Sequence, residues 1–203
     1  IAGRHLTKHP INEDRIGQGK YAANSIITRG GASVDEVPKL PDERDSVALI
    51  SACSTALGVA RALNITPSTS VRMTGNLDTD IPAKFKRAGE LFAEHERVVI
   101  HFKGTDIAAH DRKPLEKMNY IEAVDQALGD FLENHDLIRV VVSADHGTSS
   151  RTGNHMSEPV PLLYSTWQGP TDESVDFDEE SAAGGILGLL EAEELFAMLT
   201  GPT

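Results

Sequence analysis

Val98-Val99-Ile100-His101-Phe102, the run 117–134 and Ile138-Arg139-Val140-Val141-Val142-Ser143 decide the fold between them. The first and third are short and rich in β-branched residues, which predicts strands. In the run between them Ile121, Val124, Leu128, Phe131 and Leu132 share one helical face, which predicts a long amphipathic helix. Strand, helix and strand make a βαβ unit, expected to be parallel with a right-handed crossover. Working outward, further strands are expected over 25–28, 47–50 and 162–164. Helices are expected over 55–63, over 82–95 with Asp80 as its N-cap, and over 191–199. The fold class is therefore α/β, a mostly parallel sheet with helices on both faces. Residues 1–20 are polar and read as an arm or the rim of a further segment; 169–173 and the acidic run 176–180 read as surface loop.

The 203 residues suffice for one sizeable domain with its own core, and apolar and charged content are those of a globular chain. No stretch approaches the ~20 consecutive apolar residues of a membrane helix, so no membrane partner is expected. The opening Ile1-Ala2-Gly3-Arg4-His5 has no signal-peptide pattern. Cys53 is the single cysteine, which excludes an intrachain disulfide and makes a reducing cytoplasm the expected location. A net charge of −12 argues against nucleic acid, whose binding needs clustered Lys and Arg. It leaves phosphorylated small molecules open, because bound metal ions invert a local negative potential.

Three clusters carry the chemistry. Asp106-x-x-x-His110 follows the first strand, Asp145-His146 follows the second, and His155 precedes Pro159-Val160-Pro161-Leu162-Leu163-Tyr164. A lone Asp-His pair is usually a solvated turn, but three clusters at successive strand ends point to one site. Mixed imidazole and carboxylate donors favour Zn²⁺ or Mn²⁺ over Ca²⁺, and their order suits two neighbouring divalent ions. Asp78 and Asp80 are expected in cap or turn roles. His5, His9, His95, His101 and His135 are expected at the surface or in local hydrogen bonds. Thr148, Ser149 and Ser150 are expected to form the turn after the metal pair, and Ser157 a polar contact beside His155.

Further motifs carry a family resemblance. They are His9-Pro10-x-Asn12-x-x-Arg15, Ala23-Asn24, Arg29-Gly30-Gly31-Ala32, Gly75-x-Leu77-Asp78-Thr79-Asp80 and His101-x-Lys103-x-x-Asp106-x-Ala108-x-His110-Asp111. Asp145-His146, His155-x-Ser157-x-Pro159-Val160-Pro161 and Phe177-Asp178-Glu179-x-Ser181-x-x-Gly184-Gly185 complete the set. With these the chain resembles, nearly end to end, the C-terminal part of the archaeal-type cofactor-independent (2,3-bisphosphoglycerate-independent) phosphoglycerate mutases of the alkaline phosphatase superfamily.

The resemblance implies a glycolytic isomerase that interconverts 3-phosphoglycerate and 2-phosphoglycerate through a phosphoserine. It implies two divalent ions, Mn²⁺ or Zn²⁺ with Mg²⁺ as a further candidate. Asp106, His110 and His155 would hold one, and Asp145 and His146 the other. Asn24, Arg29 and Lys103 would bind substrate, Arg29 through a bidentate grip. Residues 1–203 would be the C-terminal part of the core domain. Its opening strand, nucleophilic Ser segment and inserted domain are expected outside them, leaving this chain inactive by itself. The alternatives are a related metal-dependent phosphatase or phosphodiesterase, or a non-catalytic metal-binding remnant. Two positions depart from the pattern: Leu57 stands where relatives usually carry a phosphate-contacting Lys, and Gly147-Thr148-Ser149 replaces Ser-Thr-Pro.

Overall fold

A computed structural model describes residues 2–28, 31, 33, 47–135, 138–174 and 176–200. The chain divides into two compact units, Ile1–Pro38 and Lys39–Thr203. The first holds α1 (Ala2–Thr7) and α2 (Pro10–Gly17), where an arm was expected. The sequence explains α2: Pro10 opens it, and His9 caps it by accepting the Ile11 N–H on its ring nitrogen at 3.3 Å. Asn12, buried, then ties the unit together, donating to Leu6 O and Ala23 O and accepting the Ala23 N–H. The strand expected over 25–28 does not form. Ile26 and Ile27 are exposed there, so no apolar face holds that segment in a sheet.

The second unit contains β1 (Val47–Ile50), α3 (Ser54–Ala62), β2 (Thr66–Ser68), α4 (Ile81–Leu91) and β3 (Arg97–Ile100). It continues with α5 (Gly104–His110), α6 (Pro114–Leu132), β4 (Arg139–Val142), β5 (Leu163–Thr166), α7 (Glu179–Ala183) and α8 (Ala192–Thr200). Strands β2, β1 and β3 form a parallel sheet in that order, with Ile50 beside both Ser68 and Ile100. The central strand buries Ala48 and Ile50 completely, and Met73, Ala88 and Leu91 pack against them. Helix α4 starts as its sequence dictates. Asp80 accepts the Ala83 N–H at 2.8 Å, and Ile81, Phe85 and Ala88 line the buried face at helical spacing.

The α/β class is confirmed, with a parallel three-stranded sheet flanked by helices, but three further expectations are corrected. Strand β4 is hydrogen-bonded to β5 in a separate antiparallel pair and not to β3. The antiparallel return of β5 on β4 follows from 143–162, which contains no helix to carry the chain back along the sheet as a parallel return requires. On α6, Tyr120 and Leu132 are buried and Val124, Ala127, Leu128 and Phe131 are partly buried, four of them as expected, while Ile121 is half exposed, one residue and about 100° from Tyr120. The acidic run at 176–180 also enters α7, whose N-cap Asp178 accepts the Ser181 N–H at 2.7 Å.

Candidate metal centre

Helix α5, absent from the expected elements, places the first cluster. It begins after a short link of residues 101–103 from β3, and its 7 residues put Asp106 and His110 four apart on one face. Gly104 makes this possible, because any side chain there would run into the Tyr120 ring. A glycine therefore lets α5 lie flat on α6, and the aromatic cluster of Phe85, Phe102, Tyr120 and Phe131 fixes the floor beneath it. Burial pushes the Tyr120 hydroxyl up to about 12, so it remains protonated.

A loop after β4 supplies the remaining groups. Ser149 donates its N–H to Asn154 O and Met156 donates its N–H to Gly147 O, each at 2.9 Å, so that Thr148 faces His155 across a short antiparallel bridge. Gly153 closes the turn at a φ of +74°. Its carbonyl accepts from His110 Nδ1 at 2.7 Å. A carbonyl only accepts, so His110 Nδ1 carries a proton, and in the neutral imidazole the lone pair is then on Nε2.

His110 Nε2 meets two more potential ligand atoms. His110 Nε2 lies 3.3 Å from Asp106 Oδ1 and 3.0 Å from His155 Nε2, and His155 Nε2 lies 3.6 Å from Asp106 Oδ1. Donors about 2.0–2.2 Å from one tetrahedral ion stand about 3.3–3.6 Å apart, so this triangle fits a single divalent cation. The other Asp106 oxygen accepts from Lys103 Nζ at 2.8 Å. Burial opposes ionisation of Asp106, yet the hydrogen bonds from Lys103 and Thr148 outweigh it and hold its carboxyl below the usual value. Lys103 is raised in turn, first by its hydrogen bond to Asp106. The cluster thus keeps an anionic ligand and a cation side by side.

Asp145 and His146 sit beside this triangle. His146 stacks on His155 with ring centroids 3.8 Å apart, and its Nε2 is 3.5 Å from Asp145 Oδ2. Asp145 is 87% exposed, which leaves it open to an ion and to ligands from another segment. Among the described residues the group that could hold an ion is Asp106, His110 and His155, with this pair beside it. Lys103 reaches the cluster through Asp106. Asn24 lies exposed in the irregular part of the first unit, and Arg29 falls outside the described residues. Leu57 is buried in α3. Asp78 and Asp80 take turn and cap roles, Asp78 accepting from Thr74 Oγ1 at 2.5 Å. Among the other histidines, His9 caps α2, His101 meets Ser51 Oγ at 2.9 Å, and His135 Nδ1 contacts Phe131 O at 2.7 Å. Sequence reasoning passed over the Gly153 carbonyl and the Thr148 hydroxyl. The Gly in Thr152-Gly153-Asn154 signals a turn, but nothing in the sequence says which histidine that turn meets.

An α/β sheet whose strand-end helix and loop converge on an Asp-His-His triangle offers three donors to one metal ion, the arrangement of a metalloenzyme. The chain belongs to the metalloenzyme superfamily, whose sequence pattern matches residues 4–200. The 2,3-bisphosphoglycerate-independent phosphoglycerate mutases of Pyrococcus horikoshii and Thermococcus kodakarensis are 37% and 35% identical to it over 198 residues. Those matches cover 96% of this chain and 48% of either relative, so the chain spans about half the length of the curated relatives it matches. Among solved structures, the PH0037 protein from Pyrococcus horikoshii superposes with a TM-score of 0.81 at 37% identity, over 92% of this chain and 50% of the other. A cofactor-independent phosphoglycerate mutase from Thermoplasma acidophilum shares the fold, with a TM-score of 0.59 at 22% identity, over 98% and 49%.

Proposed function

We propose that this chain is the metal-bearing half of a cofactor-independent phosphoglycerate mutase, interconverting 3-phosphoglycerate and 2-phosphoglycerate by way of a phosphoserine. The carrying observation is the convergence of Asp106 Oδ1, His110 Nε2 and His155 Nε2 on one point. In this reading they hold one Mn²⁺ or Zn²⁺ ion, and Asp145 and His146 contribute to a second. When bound, such ions neutralise charge on the attacking and leaving oxygens of a transferring phosphoryl group.

The chain's own groups do the rest. Lys103 keeps Asp106 ionised and lends positive charge beside the phosphoryl site. The Gly153 carbonyl keeps the His110 lone pair aimed at the ion. Asn24 and Arg29 are assigned to substrate binding on the strength of the motif match. The motif match assigns a small phosphorylated acid as substrate and a cytoplasmic location.

The nucleophilic Ser is assigned to a segment outside these 203 residues. Ser149, which this loop contains, is engaged by the N–H groups of Arg151 and Thr152. The test is product analysis on 3-phosphoglycerate with Mn²⁺, comparing this chain with the chain joined to an upstream half from a relative. The joined protein is expected to form 2-phosphoglycerate, and this chain alone is not. Release of inorganic phosphate in place of 2-phosphoglycerate would make it a phosphatase. Equal turnover by both would place a nucleophile within these residues and overturn the assignment.

A further inference from the structure

We infer that Thr148 is a positioning residue whose single hydroxyl sets the geometry of both metal half-sites; the inference rests on the metal reading above. Thr148 is 5% exposed, and its Oγ1 donates to Asp106 Oδ1 at 2.8 Å. That oxygen is the one facing His110 and His155. With Lys103 on Oδ2, both Asp106 oxygens are held and the carboxylate cannot rotate.

The same Oγ1 lies 3.3 Å from His146 Nδ1. Because the Thr148 proton is given to Asp106, its oxygen is left to accept, and Nδ1 must then be the protonated nitrogen of His146. A second contact agrees: His146 Nδ1 is 3.2 Å from Gly147 O, which also only accepts. The lone pair of His146 is thereby placed on Nε2, the nitrogen next to Asp145. One relay, His146 Nδ1–H to Thr148 Oγ1–H to Asp106 Oδ1, thus orients a ligand of each ion. The backbone holds the relay still, since Thr148 bridges His155 and its carbonyl accepts from Lys117 Nζ at 3.1 Å.

Two substitutions separate this role from packing. Thr148→Val keeps the shape and removes the hydroxyl; Thr148→Ser keeps the hydroxyl and removes the methyl group. The readout is Mn²⁺ and Zn²⁺ affinity by calorimetry, with the metal-induced rise in melting temperature over an EDTA-treated sample. Supporting groups of this kind change metal affinity about 10–100-fold. Thr148→Val is therefore expected to bind about 10–100-fold more weakly with its melting temperature in EDTA little changed, and Thr148→Ser to bind like the parent. Wild-type affinity in Thr148→Val, or weakening by Thr148→Ser alone, would overturn the inference. The metal reading fails separately, if Asp106→Asn and His155→Ala bind as tightly as the parent.

Discussion

His110 Nε2 and His155 Nε2 face each other at 3.0 Å although 45 residues separate them in the chain. Neither element brings them together alone. Helix α5 presents one ring, the Gly153 turn presents the other, and the Gly153 carbonyl clamps the first from behind. A cation between the two nitrogens would be coordinated by both, and without one a proton on either ring can bridge them.

Loss of ligands gives the most direct test. Asp106→Asn and His155→Ala are each expected to weaken Mn²⁺ or Zn²⁺ binding by more than about 100-fold, beyond the effect of supporting groups. Equilibrium dialysis with metal analysis measures this. Asp145→Ala is expected to leave the tightest site largely intact, since Asp145 lies outside the Asp106, His110 and His155 triangle.

Gly153 carries a separate prediction. A Cβ there would lie 2.9 Å from His110 O, at a φ of +74° that side chains rarely adopt. Gly153→Ala is expected to cost about 1–3 kcal/mol in urea unfolding without metal. It is also expected to lower metal affinity, because the displaced carbonyl no longer aims His110. Unchanged affinity would mean that the turn does not orient the ring.

Gly104 is expected to be as intolerant for a different reason. Its neighbour is the ring of Tyr120, itself buried, so the ring cannot swing into solvent. Gly104→Ala is expected to destabilise the fold by about 1–3 kcal/mol through overpacking. The double variant with Tyr120→Leu should recover part of that loss, a coupling that a double-mutant cycle reads.

Lys84 predicts a pH dependence. Its side chain is 1% exposed, donates to His101 O at 2.7 Å and lies over the Phe102 ring, and burial lowers its pKa from 10.5 to about 8. The unfolded chain therefore binds this proton more tightly than the folded one. Between about pH 8 and 10.5 the unfolded state keeps a proton that the native state has lost, so this group's contribution makes stability rise with pH. The full span is worth about 3 kcal/mol. Urea midpoints for the parent minus Lys84→Met are expected to increase from pH 8 to pH 10; a flat difference would remove the assignment.

Much of this was legible in residue types and spacing. An apolar run marks β1 and runs of β-branched residues mark β3 and β4 because a pleated, partly buried surface selects them, and Asp80 marks the start of α4 because a short carboxylate satisfies a free N–H. Asp106, His110, Asp145, His146 and His155 were readable as candidate donors because metal chemistry restricts donors to a few side chains. The convergence of Asp106, His110 and His155 was not. It depends on a helix of 7 residues whose seat is the absence of a Gly104 side chain, and on a turn that pairs Thr148 with His155. The antiparallel return of β5 and the two hydrogen bonds of the Thr148 hydroxyl have the same origin. Local sequence determines what each segment prefers and which atoms it offers. Which of those atoms meet is decided by the path of the backbone between segments, and that path is set by packing across the whole unit.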